Sequence, residues 1–363
     1  MKTRYTMVLT VLLLLGALVL SGCTGTAPTV PKGWSGGTVG GTEADKKLFV
    51  ATMDGRLVAM SLPGGSRDWV APLETTGGVA VYGSPATSGN LTYVGGYNGK
   101  IYAFAPAPGR EEPRWIYPRQ GGIGAAVVGG PVIARGKLYF SSDKGKVYAL
   151  DTADGFKEWE VTVGDKIWSS PAVDGDTLFV GAFNKKLYAL RVSDGSKKWE
   201  FPTEGAIVAA PVVENNTVYF GSFDRYLYAV NTADGSLRWK FKAGSWFWAK
   251  PVIHNGVIYA PCLDGKVYAL DAASGATRAE FNLGSPISAA PVVAGDSVVV
   301  ATEKGEIYTL GDGGRQQKLL VELGEKVYAP LAYSEGMVYA HTIKDILYAI
   351  DASSGATSKF NIK

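Results

Sequence analysis

The sequence predicts an all-β fold, an eight-bladed β-propeller with four antiparallel strands per blade and repeats of about 40 residues. Three observations carry that expectation. Tyr148, Tyr188, Tyr228, Tyr268, Tyr308 and Tyr348 recur 40 residues apart without a slip. Glycine supplies 47 of 363 residues, about twice its usual share, while apolar residues stay at 46%. Each repeat alternates short apolar runs with turn dipeptides, and no segment shows a sustained helical period.

Each of the six tyrosines is followed by Ala or Thr and then by Leu, Val or Ile. Two looser copies upstream, Tyr102-Ala103-Phe104 and Val58-Ala59-Met60, bring the repeats to eight. In the fourth copy Ser170-Pro171-Ala172-Val173 predicts a short first strand and Asp174-Gly175 a turn. Residues 177–181 form the second strand, Asn184-Lys185 the next turn, 186–190 the third strand, and 197–201 the fourth after a looser turn at Ser193-Asp194-Gly195. Asp54-Gly55, Asn98-Gly99, Lys144-Gly145, Asp264-Gly265 and Lys304-Gly305 place glycine where a tight hairpin needs positive φ. Proline opens the first strand at Pro85, Pro131, Pro171, Pro211, Pro251, Pro291 and Pro330, where its missing N–H costs least. A ring buries every four-stranded unit against two neighbours, whereas a linear stack exposes its terminal faces. The first blade begins near Trp34 with a degenerate inner strand around 36–41, and the last ends with 357–363 as its outer strand. Each blade is therefore expected from one continuous segment.

Composition excludes several functions. The formal charge is +3, and two basic residues, Lys2 and Arg4, fall in a leader, so the rest is close to neutral and offers no field for nucleic acid. Cys23, Cys262, His254 and His341 are too few and scattered for a zinc cluster or a disulfide framework. The apolar run 7–20 would span about 21 Å as a helix, short of the ~30 Å hydrocarbon core, and suits a secretory signal. It ends in Leu20-Ser21-Gly22-Cys23, which resembles the lipobox of bacterial lipoproteins. That resemblance implies a signal peptide over 1–22, a lipidated Cys23, and a flexible tether over 23–32 preceding a propeller over 33–363. It leaves Cys262 without a disulfide partner. Thr24, in place of a retention aspartate, leans toward the outer membrane facing the periplasm in a Gram-negative host; otherwise the anchor lies on the outer face of the cytoplasmic membrane.

Tyr-Ala-Leu-Asp, a loop ending in Asp-Gly or Ser-Gly, and then Lys-Trp-Glu-Phe resemble the PQQ-binding-like propeller repeat over nearly all of 34–363. A lipoprotein with eight such repeats and little else resembles the BamB-type subunits of outer-membrane β-barrel assembly. That resemblance implies a non-catalytic scaffold, monomeric within a complex, whose partner is an envelope protein such as a β-barrel assembly protein. The family's partner contact includes a Leu-Ser-Leu-Arg stretch, which the matching loop here, Val163-Gly164-Asp165-Lys166-Ile167-Trp168, lacks.

Trp69, Trp115, Trp159, Trp199 and Trp239 recur at one place in the outer strand, with Ala279 and Leu319 following there. A residue repeated in every blade serves what every blade shares, so these indoles, like the repeated tyrosines, are expected to pack blade on blade. Function is expected where repeats disagree. Three residues before the repeated proline, or in equivalent register, stand Tyr82, Val128, Trp168, Val208, Trp248, Ser288 and Tyr328. These, with Trp246 and Phe247 in the sixth loop and with Lys166, Ile167, Lys250 and Lys326 nearby, are expected around the mouth of the central channel. There they either form an exposed protein-binding cluster or plug the channel as a local core.

A quinoprotein dehydrogenase is the alternative. It needs a general base, a calcium ion with carboxylate and amide ligands, and PQQ held between apolar walls, often over an adjacent Cys pair. No Cys-Cys pair occurs, the repeats leave no room for large insertions, and Asp165 is the only acidic residue near Trp168. No catalytic residue, metal or required cofactor is expected. A propeller binding cell-wall glycan or a small ligand is a third reading, because aromatic platforms suit sugars as well as peptides.

Overall fold

The computed structural model describes residues 33–42, 45–63, 65–75, 78–311 and 316–363. The signal peptide, Cys23 and the tether lie outside these residues. Thirty-two strands form eight four-stranded antiparallel sheets, each built from four consecutive strands, and no helix occurs among the described residues. The blades span 38–72, 86–117, 132–162, 172–202, 212–242, 252–282, 292–322 and 332–361. No strand is borrowed between the termini: Thr38–Thr42 is the inner strand of the first blade and Thr357–Asn361 the outer strand of the last.

The repeated motif sets register. In the fourth blade Phe179 pairs with Ala189 and Ala189 with Trp199, after which a bulge shifts the outer strand by one residue. The same bulge follows the central Ala in the first, third, fifth and sixth blades. It falls two residues earlier in the seventh, so Lys318, not Leu319, stands opposite the position equivalent to that Ala. Leu319 is consequently turned outward and 41% exposed, which corrects its assignment to the tryptophan position.

The core is divided among eight clusters, each shared by two adjacent blades. Tyr139, Trp159, Leu178 and Tyr188, for example, join the third blade to the fourth. The tryptophan ladder is structural. Trp69, Trp115, Trp159, Trp199 and Trp239 donate from Nε1 to Arg110, Thr152, Val192, Thr232 and Ala272 carbonyls of the next blade at 2.8–3.1 Å. The Trp159 indole lies flat on Gly195, whose φ of +72° closes the turn; a Cβ there would sit 2.8 Å from Cε3 of the indole. In the seventh blade Lys318 Nζ donates to Ser353 O at 3.2 Å, taking over the interblade bond.

The ring closes between the eighth blade and the first. Leu48, Val58 and Met60 pack on Tyr339 and Leu347. Beside this apolar seam His341, 2% exposed, bridges Ser35 O (Nδ1, 2.8 Å) and Asp345 Oδ1 (Nε2, 3.2 Å), and Asp345 also accepts the Met53 N–H at 2.8 Å. Cys262 is a free, buried thiol whose pKa burial pushes up to about 12, so it behaves as a small apolar residue.

Candidate functional site

Each loop from an outer strand into the next inner strand crosses one face of the disk in extended form. Its side chains therefore alternate between the channel and the interblade seam. The residue three places before the first strand's usual proline faces the axis. All seven expected residues, Tyr82, Val128, Trp168, Val208, Trp248, Ser288 and Tyr328, line one axial cavity of about 170 Å³. Trp34 completes the ring from the first blade, stacking edge-on against Tyr82 (4.9 Å between centroids) and tilted against Tyr328 (5.7 Å). Its signal was present in sequence, since Trp34-Ser35-Gly36-Gly37 falls in register with Tyr82-Gly83-Ser84-Pro85.

The ring neither projects from the rim nor fills the channel. Its aromatic members are half-buried or, like Tyr82, nearly buried, and they wall an open cavity. Burial pushes the Tyr82 hydroxyl up to about 12. Lys250 lies two residues further along the loop and enters the same cavity. It is open to channel water yet enclosed by the surrounding blades, and that desolvation lowers its pKa.

Ile167 and Phe247 are not at the mouth. They occupy the alternate positions of the loop, are 0% and 1% exposed, and belong to interblade clusters. Phe247 fits because Gly221 has no Cβ; one built there would lie 2.2 Å from the Phe247 Cβ. The aromatic run 246–248 thus divides, with Trp246 on the rim, Phe247 in the seam and Trp248 on the cavity wall.

The rim itself is a second ring that sequence reasoning missed. The hairpin between the second and third strands places Met53, Tyr97, Asp143, Phe183, Phe223, Leu263, Glu303 and Ile343 around the mouth, all half-buried. Their backbones are tied to the incoming loops. Phe183 N–H donates to Lys166 O (2.9 Å), Leu263 to Trp246 O (3.0 Å) and Ile343 to Lys326 O (3.2 Å). Phe223 stacks on both Trp246 (4.6 Å, 15°) and Trp248 (5.7 Å, 20°), while Phe183 meets Trp168 edge-on at 4.6 Å. An apolar residue at a hairpin tip, where turn chemistry favours polar ones, was the available signal. Below the tips the repeated tyrosines brace the turns, with Tyr228 donating to Asp224 (2.7 Å) and Tyr268 to Asp264 (2.6 Å).

The mouth is not symmetric. Trp168, Phe183, Phe223, Trp246 and Trp248 make an aromatic sector across the fourth to sixth blades. The seventh contributes Ser288 and Glu303, and the exposed ammonium groups of Lys166 and Lys326 stand to either side. Burial raises the Glu303 carboxyl, and its Oε1 lacks a partner.

Eight four-stranded blades carrying this repeat define a PQQ-like propeller scaffold. The family model described as outer membrane protein assembly factor BamB matches residues 24–168 and 263–358, more than half of the chain, and the chain belongs to that family. Among solved structures, BamB from Moraxella catarrhalis is similar over 77% of this chain and 85% of its own, at 17% identity and a TM-score of 0.64. The computationally designed Ika8 protein is similar over 92% of this chain and 98% of its own, at 14% identity and a TM-score of 0.72. No curated protein matches the chain.

Proposed function

We propose that the protein is a non-catalytic scaffold of the cell envelope, anchored through lipid on Cys23, that docks a β-barrel assembly protein on its channel mouth in outer-membrane protein assembly. The observation that carries this reading is the rim. A half-buried set of rim aromatics, Phe183, Phe223 and Trp246, with the exposed Lys166 and Lys326 on the same mouth, belongs to none of the interblade clusters that hold the ring together. Large aromatic side chains with basic neighbours are the composition of protein-binding hot spots.

The donor set argues against quinone chemistry in the same place. Calcium requires several oxygen ligands, yet among the described residues no three His, Cys, Asp or Glu side chains converge. Asp165, the acidic neighbour of Trp168, is exposed and its Oδ1 accepts the Lys166 N–H at 2.7 Å. Cys262 is buried and single.

Capture from detergent-solubilised envelope tests the scaffold reading. The wild-type chain is expected to recover a β-barrel assembly protein, and the Trp246→Ala/Phe223→Ala variant to lose it. Retention of the chain on cell-wall glycan without that partner, or dye reduction after addition of PQQ, calcium and an alcohol, would replace the reading with a ligand-binding or enzymatic one.

A further inference from the structure

Lys250 breaks the pattern of the channel wall. The residue two places before the first strand is glycine, serine, alanine or proline in the other seven blades, and only the sixth puts a charge there. Among the described residues its ammonium has no ion pair and no hydrogen bond, and no carboxylate lines the cavity with it. Seven blades pack without a cation at this place, so the fold does not require one. Open to channel water, this ammonium is free to pair with an anion that enters, and no carboxylate on the cavity wall competes for it. Tyr82, on the same cavity wall, carries a buried hydroxyl that also lacks a partner. Trp34, Trp168, Trp248 and Tyr328 add flat apolar faces. The volume of about 170 Å³ is close to the ~150 Å³ that accommodates one benzene ring.

We propose that the axial cavity is a binding site for a carboxylate carried on one compact apolar or aromatic group, with Lys250 Nζ as its counter-charge. The volume of the cavity matches a single ring or a side chain of similar bulk. The carboxylate belongs either to a free aromatic acid or to an acidic side chain inserted by a partner. Trp246 and Phe223 do not line the cavity, so this site stands or falls separately from docking at the rim.

Three cavity-lining tryptophans make intrinsic fluorescence the readout. Titration of the intact propeller with benzoate should give a saturable change, and benzyl alcohol, the same ring without the charge, should bind at least about tenfold more weakly. Lys250→Met should lose at least about tenfold in benzoate affinity while its thermal midpoint stays at or above that of the wild type, and Lys250→Arg should retain binding. An N-acetylated, C-amidated Leu-Glu-Leu peptide run in parallel identifies the source by whether it or benzoate binds more tightly. Trp246→Ala should leave benzoate binding unchanged even where it abolishes partner capture. Equal affinity for benzoate and benzyl alcohol, undiminished benzoate binding by Lys250→Met, or no saturable binding of either carboxylate at millimolar concentration overturns the proposal. The benzoate–alcohol comparison decides the matter on the wild-type chain alone should Lys250→Met fail to fold.

Discussion

Two tryptophans of equal size should respond differently to truncation, and the difference measures how the molecule separates structure from function. Trp159 is 9% exposed, packs between the third and fourth blades, and donates from Nε1 to Val192 O at 3.0 Å. A buried indole of this kind removes about 200 Å² from water, roughly 5 kcal/mol at ~25 cal/mol per Å², an upper bound because the unfolded chain is not fully extended. Measured truncations of large aromatic residues cost about 3–5 kcal/mol, including the cavity left behind. At about 2 °C per kcal/mol for a chain of this length, Trp159→Ala should lower the thermal midpoint by roughly 6–10 °C. Trp248 faces the axial cavity and makes no interblade hydrogen bond; its main packing partner is Phe223 at 5.7 Å. Its truncation loses that stack and part of its buried area but opens onto existing channel space and breaks no interblade hydrogen bond, so Trp248→Ala should lower the midpoint clearly less than Trp159→Ala. Differential scanning calorimetry of the two variants and the wild type at one pH and scan rate makes the comparison. A Trp159→Ala midpoint within about 2 °C of the wild type, or a Trp248→Ala loss as large as that of Trp159→Ala, would refute the division between seam and cavity.

His341→Ala removes a hydrogen-bond partner of the fully buried Asp345 and frees Ser35 O at the closing seam, so urea unfolding should show a loss of about 1–3 kcal/mol. Asp345→Asn keeps an acceptor for the Met53 N–H and tolerates φ +56°, so it should cost less; equal losses would contradict this role of the His341 bridge at the closing seam. The exposed turn acids are titratable in a defined direction. Hydrogen bonds from Arg278 and Ser274 hold Asp271 at about 2, and Ser353 and Ser354 hold Asp351 far below its ordinary value. A folded-state pKa below the unfolded one gives stability that is present above about pH 4 and lost as the pH falls toward 2, so the denaturation midpoint should drop over that window and drop less in Asp271→Asn.

The architecture was legible because the seam repeats. A tyrosine every 40 residues, a tryptophan in the outer strand and glycine at the turns each satisfy a contact made again in the next blade, so periodicity alone exposes them. The cavity wall was legible by the inverse rule, as the place where register is kept but residue type is not. Three features escaped for identifiable reasons. Trp34 precedes a first blade with Gly37 in place of the usual proline and Val58 in place of the repeated tyrosine, so only the weak match of Trp34-Ser35-Gly36-Gly37 to Tyr82-Gly83-Ser84-Pro85 marked its register. Ile167 and Phe247 were grouped with their neighbours by proximity, although the extended loop sends alternate side chains to opposite sides. Lys318 replaced tryptophan through a bulge displaced by two residues, a backbone event that no spacing of apolar residues records.

The irregularity of the mouth follows from the regularity of the seams. A ring of eight near-identical blades offers a partner on its axis eight equivalent orientations, and a symmetric collar would bind in all of them. The seams tolerate little variation, because each side chain there meets both its own sheet and the next. The channel-facing positions of the inner loops make no such double contact, so a change of residue type there costs folding less. Aromatic rings form two sectors, one of Trp168, Phe183, Phe223, Trp246 and Trp248 on the fourth to sixth blades and one of Tyr328, Trp34, Tyr82 and Tyr97 from the eighth to the second; the polar Ser288 and Glu303 lie on the seventh, and Lys250, the one cation lining the cavity among the described residues, on the sixth. Rotating a bound segment by two blades would move a side chain seated on Phe223 onto Glu303, an exchange of stacking for the desolvation of a carboxyl group. A partner docked on the axis as proposed would thereby meet one favoured orientation among eight, set by residues outside the interblade clusters.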